Sequence, residues 1–243
     1  MATIVLSPHT LSKDRSDIKA EVTSSNTVGY QKVNISPGLT IVGTPFTSIE
    51  ANATGLDIQS IKPADTQNSG GVSMLRRWNG SGYTEYFYFP EDQFGVGDEE
   101  LPGWGDALQN EANVQIDLGE GYWIQSDKAE TITLAGEVAD EETVSIGSGL
   151  TLISNPLPVD IDIQKIIPSD TQNSGGVSML RMWNGSGYTE YFYFPEDQFG
   201  VGDEELPGWG DALQNEVHVT IPAGRGFWIQ SDKAETITFQ NNL

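Results

Sequence analysis

DTQNSGGVSMLRRWNGSGYTEYFYFPEDQFGVGDEELPGWGDALQNE, residues 65–111, occurs again as residues 170–216 with one difference in 47 positions, Arg77 against Met182. A match of this length is a tandem duplication, and self-similarity outranks local signals in deciding architecture. It continues forward, where Gly121–Thr133 reappears as Gly226–Thr238 with Phe227 in place of Tyr122. It continues backward at an offset of 111 rather than 105, aligning Gly38–Phe46 with Gly149–Leu157. Six extra residues in the first copy, within Thr47–Gln59, account for the change and mark a surface loop. Each unit is a little over 100 residues, the usual size of one domain, and two copies are too few for a solenoid. The chain therefore divides into an N-terminal arm (1–25), a first repeat domain (26–137) and a second (138–243), with the acidic run Glu137–Glu142 as the natural linker.

Inside a unit the signals are those of strands. Val72–Trp78 and Tyr83–Phe89 flank Asn79-Gly80-Ser81-Gly82, where Asn-Gly supplies the positive φ that a tight hairpin requires. Val28–Ile35 and Gly38–Val42 are β-branched runs around a Ser36-Pro37-Gly38 turn. Val114–Leu118, Tyr122–Gln125 and Thr131–Leu134 bring the count to about seven. Helical pattern is confined to one turn at Leu56–Ile61 and two at Asp106–Asn113. Short strands with Gly-rich turns predict an all-β fold, two tandem β-sandwich or small-barrel domains.

Composition narrows the function. Thirty-five Asp and Glu oppose 12 Lys and Arg, a formal charge of −23, so nucleic acid is a poor partner. No apolar run approaches the roughly 18 residues of a membrane helix. Cysteine is absent, which removes disulfides and thiolate chemistry. The two histidines are His9 and His218, and no nucleophile elbow, Walker sequence or Gly-x-Gly-x-x-Gly turn is present. These observations point away from an enzyme. Carboxylate pairs suited to glycoside hydrolysis exist, but a chain this acidic produces them by chance.

Two constellations are more specific. Glu91, Asp92, Asp98, Glu99, Glu100 and Asp106 crowd into one Gly-rich loop, repeated as Glu196, Asp197, Asp203, Glu204, Glu205 and Asp211. Such a loop is either a solvated acidic surface or a Ca²⁺ site, since Ca²⁺ takes six to eight oxygens in flexible geometry; it lacks EF-hand spacing. The second is Tyr83–Phe89, aromatic on both faces. Phe87 and Phe89 are expected in the core. That leaves Tyr86 and Tyr88, with Tyr191 and Tyr193 in the second copy, either under the loops carrying Trp104 and Trp209 or exposed to a protein partner or sugar rings.

The signatures Asn26–Val33, the Gly-Leu-Thr strand ending in Pro45-Phe46, Gly103–Asp106, Gly119–Trp123 and Gly136–Val138 resemble a group of uncharacterised secreted tandem β-domain proteins of planctomycete and verrucomicrobial bacteria. The likeness covers roughly 26–243 and rests on turn and core motifs. It implies an extracellular or cell-surface protein and supplies no activity; Met1–Ser25 has no signal-peptide layout and falls outside it.

Ala2–Ser7 is a β-prone segment with no counterpart in the second repeat, and Ile4, Val5 and Leu6 are its apolar part. A spare strand pairs with its own domain or with a neighbour's open edge. The leading expectation is a non-enzymatic structural protein that self-assembles into a filament or layer through strand contacts. A carbohydrate-binding module is the alternative, and a carboxylate-based glycosidase the third reading.

Overall fold

The computed structural model describes residues 2–3, 27–49, 53–67, 70–90, 102–138, 142–172, 175–195 and 207–240. The first unit contains β1 (Ala2–Thr3), β2 (Val28–Ile35), β3 (Gly38–Gly43), β4 (Phe46–Thr47), β5 (Gly55–Asp57), β6 (Lys62–Pro63), β7 (Val72–Trp78), β8 (Tyr83–Phe89), β9 (Gly103–Gly105), β10 (Gln115–Asp117), β11 (Gly121–Ser126) and β12 (Glu130–Val138). The second contains β13 (Glu142–Ile146), β14 (Gly149–Ser154), β15 (Ile161–Asp162), β16 (Ile166–Pro168), β17 (Val177–Trp183), β18 (Tyr188–Phe194), β19 (Gly208–Gly210), β20 (Thr220–Ile221), β21 (Gly226–Ser231) and β22 (Glu235–Phe239).

The fold is all-β, as the sequence predicts. Each unit stacks a five-stranded sheet, β3-β11-β7-β8-β9 or β14-β21-β17-β18-β19, on a second sheet built around β2-β12 or β13-β22-β16. The apolar residues of the facing sides, such as Leu75, Ile124, Ile132 and Leu134 in the first unit, form one core per unit. The central hairpin is as expected: Asn79 Oδ1 accepts from the N–H groups of Ser81 and Gly82, and Gly80 has φ of 92°. β12 runs through Val138 and β13 begins at Glu142, so the ends of the expected linker are strand.

Two local expectations are corrected. Leu56–Ile61 contains a single 3-10 turn, Ile58–Ser60, but Asp106–Asn113 is not helical. Asp106 Oδ1 accepts from Leu108 N–H at 2.8 Å and Asn110 N–H at 3.0 Å, and Gln109 has φ of 65°, so side chain and backbone together close a turn instead. The aromatic strand is inverted. Register places Tyr86 opposite the core residue Leu75, so Tyr86 and Tyr88 face inward while Phe87, opposite Met74, and Phe89 lie half-buried on the other face.

Trp104 explains the inversion. Its indole N–H reaches Ile61 C=O at 2.9 Å, its ring meets Tyr88 edge-on at 5.2 Å, and both are buried. Gln59, carried by the 3-10 turn, holds β9 in place by donating to Trp104 and Ala112 carbonyls and accepting from Trp104 N–H. Gln164 and Trp209 repeat the device in the second unit.

A third apolar cluster joins the units through the outer faces of the two five-stranded sheets: Ile41, Trp123, Leu152 and Trp228, flanked by Leu39, Trp78 and Trp183. Its contacts are reciprocal. Trp78 meets Trp228 edge-on at 5.3 Å and Trp183 meets Trp123 at 5.5 Å. The Trp78 indole donates to Leu150 C=O, and the Trp183 indole to Leu39 C=O. Gly43 N–H donates to Gly224 C=O, and Ser154 N–H to Gly119 C=O. Each contact maps onto its partner under the repeat offsets, which is the signature of a pseudo-two-fold, isologous interface.

Candidate functional site

Where the first unit's β7-β8 end faces β13 and β14 of the second, a cleft of about 670 Å³ opens. That lies within the range of about 300–1,000 Å³ seen for ligand pockets. One wall presents Arg77, Thr84 and Tyr86, the floor is the Asp117–Glu120 turn, and the opposite wall presents Thr143, Ser145 and Leu150. Gly119, at φ of 78°, lets the floor pass close to β13, because a Cβ there would collide with Val144.

Arg77 is held rigidly. Its Nε and Nη2 donate to Glu120 Oε1 and Oε2 at 2.5 and 2.6 Å, and Asp117 Oδ2 lies 3.7 Å from Nη2. Burial pushes the Glu120 carboxyl up from its ordinary value, with the Arg77 guanidinium opposing the rise. Burial alone would lower Arg77, but Glu120, with smaller contributions from Asp117 and Tyr86, reverses this, so its value is raised.

The equivalent place in the second unit is built differently. Met182 replaces Arg77, Arg225 replaces Glu120 and Pro222 replaces Asp117. Arg225 donates through Nη2 to Trp183 C=O, and burial lowers its value. Gln31 crosses from the first unit to donate to Ala223 C=O at 2.8 Å. The one substitution in 47 positions is thus complementary: an arginine at 182 would stand against Arg225 instead of against a carboxylate.

The β13 wall carries open main-chain groups. Thr236 in β22 turns both its C=O and its N–H toward β16, accepting from Ser169 N–H at 2.9 Å and donating to Ser169 Oγ at 3.3 Å. Ser145, directly opposite Thr236, therefore occupies a non-hydrogen-bonded pair, and so does Thr143 two residues away. Their N–H and C=O groups point away from β22 toward the free side of β13, which has no second strand partner among the described residues.

The residues singled out in the sequence separate into four groups. Tyr88, Trp104, Tyr193 and Trp209 are 0–4% exposed, so they pack the cores and present no contact surface; the surface alternative is corrected for all four. Tyr86 and Tyr191 are half-buried, and Tyr86 reaches the cleft. Asp106 and Asp211 direct their carboxylates into their own turns, toward Asn110 and Asn215. Glu91, Asp92, Asp98, Glu99, Glu100, Glu196, Asp197, Asp203, Glu204 and Glu205 lie outside the described residues, as do Ile4, Val5 and Leu6. Among the described residues no group of three or more His, Asp or Glu is placed to hold a metal ion.

Sequence reasoning missed the Arg77–Glu120 pair and the Thr143–Ser145 edge. A signal for the pair was present, because the one difference within the 47-residue block, Arg77/Met182, is accompanied by a change from Glu120 to Arg225 in the more divergent stretch that follows. Comparison of the chain with protein-family models, with curated proteins and with solved structures returns no match.

Proposed function

We propose that this is a non-enzymatic structural protein of the cell exterior that assembles with itself by strand addition. The observation that carries this reading is β1, which adds to the outer edge of β2 with Ala2 opposite Tyr30 and Thr3 opposite Gly29. The arm is therefore a segment able to extend a sheet edge of this fold, and strand addition draws its affinity from main-chain bonds. The duplication supplies a second such edge: β13 is the counterpart of β2 and carries no added strand among the described residues. An arm that leaves one chain to pair with an edge on the next makes a head-to-tail contact, and contacts of that kind generate open filaments when they do not close into a ring. Export is supported by the likeness of Asn26–Val33 and Gly119–Trp123 to secreted proteins.

Sedimentation and negative-stain microscopy of the full chain beside a chain lacking residues 1–7 test the reading. The full chain is expected to polymerise, more strongly as salt screens the −23 charge to a length of about 10 Å at 0.1 M, and the truncated chain to remain monomeric. A full chain that stays monomeric at high concentration and salt ends it.

A further inference from the structure

We infer that the cleft between the repeats is the acceptor site for the arm of a second copy, whose Ala2–Ser7 segment lies extended along β13. This deepens the strand-addition reading and rests on it. The cleft offers what an added strand requires. The outward main-chain groups of Thr143 and Ser145 supply the rungs, and Leu150, 38% exposed on the same wall, supplies apolar surface for Ile4 or Leu6.

The occupant is identified by what the arm does within its own chain. It pairs with β2, the strand that corresponds to β13, but it enters at Tyr30 and runs antiparallel toward Gly29. Val28 is the last residue of β2 in that direction, so the β2 ladder ends opposite position 4, and the outward positions Lys32 and Asn34 lie on the far side of Tyr30. On β13 of another copy the register is free to centre the whole segment on Thr143–Ser145. The 24 residues between Thr3 and Val28 span at most about 80 Å, which is ample reach to a neighbour.

Charge agrees. Residues 1–13 contain no carboxylate, in a chain whose net charge is −23. The cleft holds Asp117 and Glu120 against the single cation Arg77. Residues 2–7 carry no charged side chain and residues 1–25 balance Lys13, Arg15 and Lys19 against Asp14, Asp17 and Glu21, so the arm escapes the repulsion that keeps the acidic bodies of two copies apart.

The absence of cysteine allows a direct test. One copy carries Ile4→Cys or Leu6→Cys and a second carries Ser145→Cys; the two are mixed and oxidised, and disulfide-linked dimers are read on a non-reducing gel. A disulfide needs Cα atoms within roughly 4.4–6.8 Å. The mixed pair is expected to exceed by at least tenfold a control pair in which the second cysteine replaces the exposed Leu213. The Ser145→Pro change, which removes one outward N–H, is expected to reduce polymer yield, and the cross-link decides the matter if that variant folds poorly. Background cross-linking only, in a chain whose polymers still vanish on removal of residues 1–7, overturns the cleft assignment and leaves strand addition standing. Polymers that survive that removal overturn both. Binding of an oligosaccharide to the full chain that is lost in Arg77→Met, with no cross-link, assigns the cleft to a glycan and overturns the inference.

Discussion

Asp106 is partly exposed and held below its ordinary value by the Asn110 side chain, whose amide donates to it, by Asn110 N–H and by Leu108 N–H; Asp211 repeats this with Asn215 and Leu213. A carboxylate depressed by folding stabilises above its unfolded value, and the benefit is lost as pH falls through the lower, folded one. Asp106→Asn should therefore melt below the native chain at pH 7, with the gap closing as pH drops below about 3.8, the ordinary aspartate value. A gap independent of pH would show that the turn depends on shape rather than charge. The cleft residues give a sharper test. Arg77→Met leaves Glu120 largely buried without its partner and should cost about 1–3 kcal/mol in denaturant unfolding. Met182→Arg sets two guanidinium groups against each other and should also destabilise, while Met182→Arg with Arg225→Glu should restore stability by rebuilding the first unit's pair in the second. If the double change is no better than the single, the two positions are not coupled.

Among the elements, the tryptophan-bearing strands β7, β11, β17 and β21 carry the junction between units. Trp123 and Trp228 are 6% and 7% exposed, and replacing either with Ala should cost about 3–5 kcal/mol, nearly equally because the dyad makes their surroundings alike. Double-mutant cycles should find coupling of about 0.5–1.5 kcal/mol for Trp123 with Trp183 and for Trp78 with Trp228. Trp123 with Trp228 should show less, and equal coupling for all pairs would contradict the reciprocal packing. The strands and the Asn79-Gly80 hairpin were legible in the sequence because alternation and turn chemistry are local. The facing of β8 was not: with aromatics on both sides, only its register against Leu75 and the burial of Trp104 decide which side is inner. The Asp106 turn was misread as helix because its side-chain bonds compete with helical ones, and residue pattern does not weigh the two. The open edge at Thr143 and Ser145 depends on which way Thr236 turns, a matter of pairing between distant segments.

At the scale of the whole molecule, the apolar junction predicts that the covalent connection at 139–141 is dispensable once the chain has folded. A protease site introduced there and cut should leave two halves that co-elute in size exclusion, and Trp123→Ala with Trp228→Ala should let them separate. Halves that part without those changes would mean that the tether, and not the tryptophan cluster, holds the units together. The same junction has a consequence for how the protein can vary. In a homodimer each substitution appears on both sides of the dyad at once, so a site such as 120/225 could hold Glu twice or Arg twice but never one of each. Concatenation lifts that constraint. With both halves encoded separately, one shoulder of the molecule can keep the Arg77–Glu120 pair in an open cleft while the other carries Met182 and Arg225 with Gln31 bonded to Ala223, so that a body with two-fold packing acquires a distinguishable front and back. Such polarity is what a subunit needs if it is to be added in one direction only.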